Sequence, residues 1–322
     1  MHGTIWAAAC VALTLAATGA CAAQQTYPNK PVRVVFAFAA GGAGDIIGRA
    51  YGQKFTEKFG QAWVLDNRGG AGSTIGTDIA AKAAPDGYTL FQANMTLCVS
   101  YAAYAKLPYD PVRDFVPITT TVNVTSFLAI TPSLPVGNVK ELIAYVKARP
   151  GQLSYASAGQ GSTSHFSAEM FNRMAGIQMA HVPYKGTGPA LPDLLAGRVH
   201  LIFEPIVTML PHVRAGRMKA LGVTSLKRSA AAPDIPSLAE QGMDGYDVVL
   251  WYGMLAPTGT PRPIVDKLHA AFVEFAASPD IKEKLSGIGA EPGSTSQAEF
   301  AAIIKRDLAR WKKVAAEAGI RL

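Results

Sequence analysis

The sequence predicts an α/β protein of two similar halves, each with a parallel or mixed sheet flanked by helices. Apolar strand-like runs alternate with helical segments over residues 32–91 and again over residues 153–203, and this βαβαβ order is typical of parallel sheets. Glycine- and serine-rich loops follow several of the strands, at the edge where open parallel sheets bind their ligands. Two such sheets facing each other indicate a hinged protein that closes over a small molecule.

The elements follow from apolar periodicity and from glycine and proline punctuation. Strands are predicted at 32–38, 62–65, 88–91, 153–155, 179–182, 199–203 and 247–255. Helices are predicted at 46–59, 75–83, 166–174, 189–195, 263–277 and 297–318. The extended stretch 115–131 is expected to cross between the halves, and 218–224 to carry the chain back. We therefore assign residues 23–123 and 227–322 to lobe 1 and residues 124–226 to lobe 2.

The first 22 residues contain no Lys, Arg, Asp or Glu, and their apolar stretch leads into Ala20-Cys21-Ala22, an A-x-A cleavage pattern. We expect residues 1–22 to be a signal peptide and the mature protein to be exported to the periplasm. A membrane anchor is one alternative, but the stretch is shorter than the roughly 20 residues that a bilayer requires. Lipidation at Cys21 is another, although Thr18-Gly19-Ala20 lacks the usual aliphatic residue.

Composition argues against several classes of function. The formal net charge of +7 comes from scattered Lys and Arg, which favours small anionic partners over nucleic acid. Cys98 is the one cysteine beyond the leader, so no disulfide is expected. No histidine pair has the spacing of a metal site, and Ile47 stands where a dinucleotide fingerprint needs its third glycine. We therefore expect neither metal nor cofactor. A monomer is the default expectation for a protein that must open and shut.

Three loops each set out backbone N–H groups before a helix. They are Ala39–Gly44, Asn67–Thr74 and Ala156–His165. Because glycine allows close approach and a helix N-terminus carries partial positive charge, the preferred guest is a carboxylate, phosphate or sulfate. Asp45 is predicted to cap a helix that begins at Ile46. In the third loop, His165 beside Ser162 and Ser164 leaves open an exported enzyme with a serine nucleophile, although no Gly-x-Ser-x-Gly elbow is present.

With these loops placed, the chain resembles the Bug family, the periplasmic solute receptors of tripartite tricarboxylate transporters. The motifs that carry the resemblance are Asp66-Asn67-Arg68, Ala84-Pro85-Asp86-Gly87-Tyr88-Thr89-Leu90, His181-Val182-Pro183-Tyr184-Lys185-Gly186 and Gly222-Val223-Thr224-Ser225. The resemblance implies a Venus-flytrap fold without enzymatic activity. It also implies capture of a small organic carboxylate between the lobes and delivery to membrane permease subunits. A ligand-dependent sensory adaptor is the alternative, and the acid could be an aliphatic di- or tricarboxylate or an aromatic carboxylate.

Residue by residue, the resemblance implies ligand contacts in the first loop, in the third loop and just past the strand at 88–91. These candidates are Phe38, Ala40, Gly41, Gly42, Asn94, Thr96, Ser157, Gly161, Ser162, Thr163, Ser164 and His165. Tyr184 and Glu204 complete the set, each with an alternative role. Tyr184 could instead belong to a turn, and Glu204 could cap the helix that starts at Ile206. The family usually has Pro where Ala40 stands and commonly has Asp where Glu204 stands.

Overall fold

The computed structural model describes residues 27–322, so the predicted signal peptide at 1–22 and the alternative lipid site at Cys21 lie outside the described residues. The strands are β1 (Val32–Phe36), β2 (Trp63–Asn67), β3 (Thr89–Asn94), β4 (Phe115–Ile130), β5 (Ser154–Ser157), β6 (Ala180–Pro183), β7 (Leu201–Pro205), β8 (Lys219–Val223), β9 (Val249–Pro257) and β10 (Ala290–Pro292). The helices are α1 (Ala43–Phe59), α2 (Thr74–Ala81), α3 (Thr96–Ala103), α4 (Val139–Lys147), α5 (Thr163–Ala175), α6 (Thr187–Leu195), α7 (Ile206–Arg214), α8 (Arg262–Ala277), α9 (Pro279–Ser286) and α10 (Gln297–Ala318).

The long strand β4 joins two sheets. Its first part, residues 115–125, pairs with β9, and its second part, residues 126–130, pairs with β7 and β8. The strand order is β2-β1-β3-β9-β4-β7-β5-β6. Pairs such as β1 with β3 and β5 with β7 are parallel, whereas β9 and β4 add antiparallel neighbours. We call the elements around β1, β3 and β9 the first lobe and those around β5, β7 and β8 the second lobe. The predicted α/β class with two lobes is confirmed.

The chain returns to the first lobe through a segment that was predicted to belong there already. Residues 227–247 instead contact the second lobe: Gln241 Nε2 donates to the Leu221 carbonyl of β8 at 2.8 Å, and Val139 N–H of α4 donates to Gln241 Oε1 at 3.1 Å. Val248 N–H then donates to the Thr224 carbonyl before β9 enters the first sheet. These contacts favour a lobe boundary near Val248 over one at 226.

The first helix begins earlier than predicted. Helix α1 starts at Ala43, its N-cap is Gly42 and no side chain caps it, so the prediction that Asp45 caps a helix starting at Ile46 is wrong. The physical reason lies in Gly44, where a Cβ would stand 2.0 Å from the Phe36 ring. Glycine lets the helix start against this ring, and Asp45 falls inside the first turn.

The helices pack against the joined sheets and share a buried apolar core with them. Trp251 of β9 is buried in the core, and its indole N–H donates to Asp307 Oδ2 of α10 at 2.8 Å. Cys98 is buried as a free thiol. Within residues 27–322 no helix has both the length and the apolar character needed to cross a bilayer.

Candidate ligand-binding site

A cavity lies where the loops after β1, β3, β5 and β7 meet between the lobes. Its walls are formed by Phe36, Phe38, Ala39, Gly42, Ala43, Gly44, Asn94, Thr96, Ser126, Ala158, Ser162, Thr163, Ser164, Ser167, Thr187, Phe203, Glu204, Pro205, Leu250 and Tyr252. The space open to the centre of a water-sized sphere is about 40 Å³. One water needs roughly 10–15 Å³ by this measure, so the lobes are closed tightly around a small space.

The structure divides the predicted site residues into two groups. Those that line the cavity are Phe38, Gly42, Asn94, Thr96, Ser162, Thr163, Ser164 and Glu204. Those that lie behind or beside it are Ala40, Gly41, Ser157, Gly161, His165 and Tyr184. The second predicted loop, at 67–74, lies against the third loop rather than on the cavity. The first group can contact a ligand directly, whereas the second group can only support the residues that do.

Helix N-termini from both lobes converge on the cavity. Helices α1 and α3 of the first lobe present Ala43, Gly44 and Thr96, and helices α5 and α6 of the second lobe present Ser164 and Thr187. The first N–H groups of a helix have no intrahelical partner, and the helix dipole gives that end partial positive charge. No Lys, Arg or His is among the lining residues of the described chain. Within the described residues, the lining therefore offers the partial positive charge of helix N-termini but no cationic side chain.

Two threonines join the lobes across the cavity. Thr96 Oγ1 of α3 and Thr163 Oγ1 of α5 are 2.9 Å apart, and Thr163 N–H donates to Thr96 Oγ1 at 3.3 Å. Asn94 Oδ1 in turn accepts from Thr96 N–H at 3.0 Å. Because α3 belongs to the first lobe and α5 to the second, this hydrogen bond depends on closure of the lobes.

The third loop satisfies most of its backbone donors internally, which the sequence did not reveal. Ser164 Oγ accepts from Ala158 N–H at 2.9 Å, and Ser162 Oγ caps α5 by accepting from His165 N–H at 3.3 Å. Gly161 N–H donates to His165 Nδ1 at 3.2 Å. The expectation of a row of free N–H groups is therefore wrong for this loop, and its hydroxyls are the groups that face the cavity.

Two stacked imidazoles support the third loop from behind. The rings of His165 and His181 are 4.2 Å apart and nearly parallel, and His181 Nε2 lies 2.6 Å from the Ser157 hydroxyl. Burial lowers the pKa of both side chains to about 4, so both are neutral at physiological pH. Since His165 Nδ1 is held by Gly161 N–H, the imidazole does not activate Ser162 or Ser164 as an enzyme would require.

The remaining predicted residues lie at a contact between backbones of the two lobes. Ala39 N–H donates to the Lys185 carbonyl at 3.1 Å, and a Cβ at Gly188 would stand 2.1 Å from the Ala40 carbonyl oxygen. A Cβ at Gly72 would stand 1.9 Å from the carbonyl oxygen of Gln160. We call these facing segments, 39–41 and 72 of the first lobe with 160 and 185–188 of the second, the glycine contact. Glycine is required where the lobes approach this closely.

Tyr184 and Asp45 serve structure near this contact. The Tyr184 hydroxyl donates to Asp193 Oδ2 at 2.7 Å, which directs the ring toward α6 and fits the turn alternative. Asp45 Oδ2 accepts from Gly41 N–H at 3.3 Å, and its other oxygen pairs with Arg49. The Asp45 carboxylate thus accepts the hydrogen bond of one glycine N–H that the sequence analysis assigned to a ligand.

Glu204 is the one ionisable carboxyl among the described residues that line the cavity. It is 4% exposed, and α7 has Pro205 as its N-cap without any side-chain cap, so the capping alternative is wrong. Burial raises the pKa of Glu204 to about 8, and hydroxyls of Thr187 and Thr208 offset part of that rise. The far wall of the cavity therefore carries an uncharged acid at neutral pH.

Several lining residues were missed from the sequence. Ser126 lies where β4 passes between the lobes, Thr187 begins α6, and Tyr252 follows the core residue Trp251 on the opposite face of β9. Ser167 could have been found, because it follows Ser164 by three positions and therefore shares its helix face. The others come from elements far apart in sequence. Among the described residues no cluster of three His, Cys, Asp or Glu could hold a metal.

Two lobes closed over a small donor-lined cavity define a solute-binding receptor. The family model for the tripartite tricarboxylate transporter family receptor matches residues 47–320. The chain belongs to this family, whose members are periplasmic binding proteins of the Bug type rather than enzymes. The predicted family resemblance is thereby confirmed.

Three solved structures are similar along almost the whole chain. The periplasmic binding protein BugD is 36% identical with a TM-score of 0.89, covering 92% of this chain and 99% of that chain. Rpa4515 of R. palustris, solved with adipate, is 38% identical with a TM-score of 0.89 and the same coverage of 92% and 99%. MatC of Rhodopseudomonas palustris, solved with bound malate, is 32% identical with a TM-score of 0.85, covering 89% and 99%.

Proposed function

We propose that this chain captures a small organic carboxylate, an aliphatic di- or tricarboxylate or an aromatic acid, between its two lobes. The observation that carries the proposal is the convergence of helix N-termini and hydroxyls from both lobes on one cavity without a lysine or arginine in its lining. Relatives solved with adipate and with malate support an acid as the guest. Aromatic lining from Phe38, Phe203 and Tyr252 can contact the apolar part of such a molecule.

The acid group has a defined place in this proposal. One carboxylate receives the N–H groups at the start of α1 and the hydroxyls of Thr163 and Ser164 at the start of α5. Charge-assisted hydrogen bonds of this kind are stronger than neutral ones. Because the donors are divided between lobes, a bound acid links the lobes and favours the closed form.

Delivery to the permease subunits of a tripartite tricarboxylate transporter completes the proposed function. Membership of the receptor family supports this partner. We further propose that the chain reaches the periplasm through residues 1–22 and acts as a monomer. Uptake of a radiolabelled acid by cells that contain the permease, with and without this chain, tests delivery. Capture by a membrane sensor in place of transport would favour a sensory adaptor.

Binding itself is tested with purified mature protein. A thermal-shift panel of succinate, adipate, malate, citrate and benzoate, followed by calorimetry, should find an acid that binds at micromolar concentration. Ser164→Ala removes a cavity hydroxyl and should weaken the binding of that acid by about 1 kcal/mol or more. Ser286→Ala, at an exposed position on α9, is the matched control and should bind as the wild type. No stabilisation by any aliphatic or aromatic acid would refute the proposal.

A further inference from the structure

Glu204 is a buried carboxyl in the lining of the cavity, with hydroxyl neighbours but no charged partner among the described residues. It is buried on β7, it lines the cavity, and its backbone pairs with Phe127 of β4. Neither the α7 cap nor any salt bridge within residues 27–322 employs its carboxyl. An acid buried without a cation is unfavourable as an anion, so its role has to be sought in the cavity that it faces.

The groups around Glu204 are uncharged on every side. Thr187 of α6 and Thr208 of α7 approach it with hydroxyls, and the titratable Tyr252 phenol of β9 also interacts with it. Burial, with the nearby Glu204, raises the pKa of Tyr252, so this phenol stays neutral. His165 of α5 lies behind the lining, and burial keeps it neutral as well. Nothing in these surroundings supplies a counter-ion to an ionised Glu204.

An uncharged carboxyl differs from every other polar group in the cavity. It has one strong O–H donor, and donation to a carboxylate gives a short, charge-assisted hydrogen bond. Helices α1 and α5 begin at the loops after β1 and β5, whereas Glu204 lies on β7, beside Thr187 at the start of α6. A ligand that spans these two regions needs an acceptor at each end.

We propose that Glu204 selects dicarboxylates over monocarboxylates of the same length, because its protonated carboxyl donates an O–H hydrogen bond to the second carboxylate of the ligand. This inference rests on the proposed function, since it places the first carboxylate at the helix N-termini. A distal hydroxyl or carbonyl of the ligand would accept the same hydrogen bond, but that bond is weaker because its acceptor carries no charge. Binding of a dicarboxylate is then linked to the protonation of Glu204.

The test compares ligands that differ only in the distal group. Calorimetry with adipate against hexanoate, and with succinate against butyrate, is carried out at pH 7 and pH 9. With a pKa of about 8, the protonated fraction of Glu204 falls from about nine-tenths to about one-tenth between these values. We expect the preferred dicarboxylate to lose about tenfold in affinity, and its monocarboxylate partner to change little.

Glu204→Gln tests whether the pH dependence comes from titration of Glu204, because the variant keeps a hydrogen-bond donor that does not titrate. Glutamine has the same length and keeps an N–H donor, so the variant should bind the dicarboxylate within a few-fold of the wild type and lose its pH dependence. Glu283→Gln makes the same chemical change at an exposed position of α9 and should keep the wild-type pH profile. Unfolding midpoints of the unliganded variants verify that both are folded.

Two results would overturn the inference while leaving the proposed function standing. Equal binding of adipate and hexanoate, or of succinate and butyrate, without pH dependence would show that Glu204 makes no contact with the distal group. Affinity that rises toward pH 9 and collapses in Glu204→Gln would show that the ligand brings a cation instead. Failure of every acid in the panel to bind would refute the proposed function, and the inference with it.

Discussion

Replacing Gly188 with alanine tests whether capture depends on the glycine contact between the lobes. Gly188 lies in α6 of the second lobe and faces the Ala40 carbonyl of the first. A methyl group there would stand 2.1 Å from the carbonyl oxygen and 3.2 Å from the carbonyl carbon of Ala40. Non-bonded heavy atoms prefer about 3.5–4.0 Å, so the lobes would have to separate by about 1 Å or more at this point.

The cost falls on the closed form. Separation at Gly188 also stretches the hydrogen bond from Ala39 N–H to the Lys185 carbonyl, 3.1 Å long when the lobes are closed. Overpacking of this kind costs about 1–3 kcal/mol. In an open form the methyl group has room, and Gly188 has no left-handed φ that alanine would strain. Because the bound acid requires closure, we expect its affinity to fall about 5- to 150-fold.

Calorimetry with the best acid of the panel measures this loss, and the unfolding midpoint of the unliganded variant should equal or exceed that of the wild type, because alanine is the better helix former. Small-angle scattering should show a smaller ligand-induced compaction for Gly188→Ala. Gly293→Ala is the matched control, since nothing lies within 4 Å of its added Cβ. Wild-type affinity in Gly188→Ala, or an equal loss in Gly293→Ala, would refute the reasoning.

Three further predictions follow from named contacts. Thr96→Val and Thr163→Val should each weaken binding, with a coupling of about 1 kcal/mol in a double-mutant cycle because they break the same 2.9 Å hydrogen bond; additive losses would contradict this. The pKa of His165 is about 4 in the folded protein and 6.5 in the unfolded chain, so between these pH values the unfolded chain binds more protons. The free energy of unfolding should therefore fall by about 2 kcal/mol between pH 7 and pH 5 because of His165. Urea unfolding at the two values checks this, and a His165→Gln variant with an unchanged pH dependence would disprove it. Trp251→Phe should lower unfolding free energy by about 1–3 kcal/mol, because buried Asp307 loses its indole donor, while acid binding measured by calorimetry stays the same; a large loss of affinity would place Trp251 in the site instead.

The sequence was most informative where glycine and apolar runs act locally. Segments such as 189–195 and 297–318 became helices with bounds within a few residues of the prediction, because periodicity and caps operate over one or two turns. The start of α1 was misplaced because aspartate is a favoured N-cap, whereas contact between Gly44 and the Phe36 ring decided the outcome. The return of the chain near Val248 depends on contacts of Gln241 with distant elements, which no local pattern contains.

The site was predictable only in part, for a similar reason. Loops rich in glycine and serine located its two main walls, but the sequence could not show which donors the loop itself consumes. The family resemblance implies ligand contacts at His165 and Ser157, yet in the structure His165 Nδ1 accepts from Gly161 N–H and the Ser157 hydroxyl lies against His181 Nε2. Thr187 lines the cavity because the second lobe faces the first there, and spacing within the sequence does not show which elements face each other.

Division of the neutral donors between the lobes has a consequence for release. A bidentate arginine in one lobe would hold an acid whether the lobes were open or closed. Here the hydroxyls of Thr96 and Thr163 meet each other and the cavity only when the lobes are together. We therefore expect each lobe alone to hold an acid weakly, so that a partner which separates the lobes lowers affinity in one step. The glycine contact adds to this dependence, because Ala39 N–H reaches the Lys185 carbonyl only when the lobes are together.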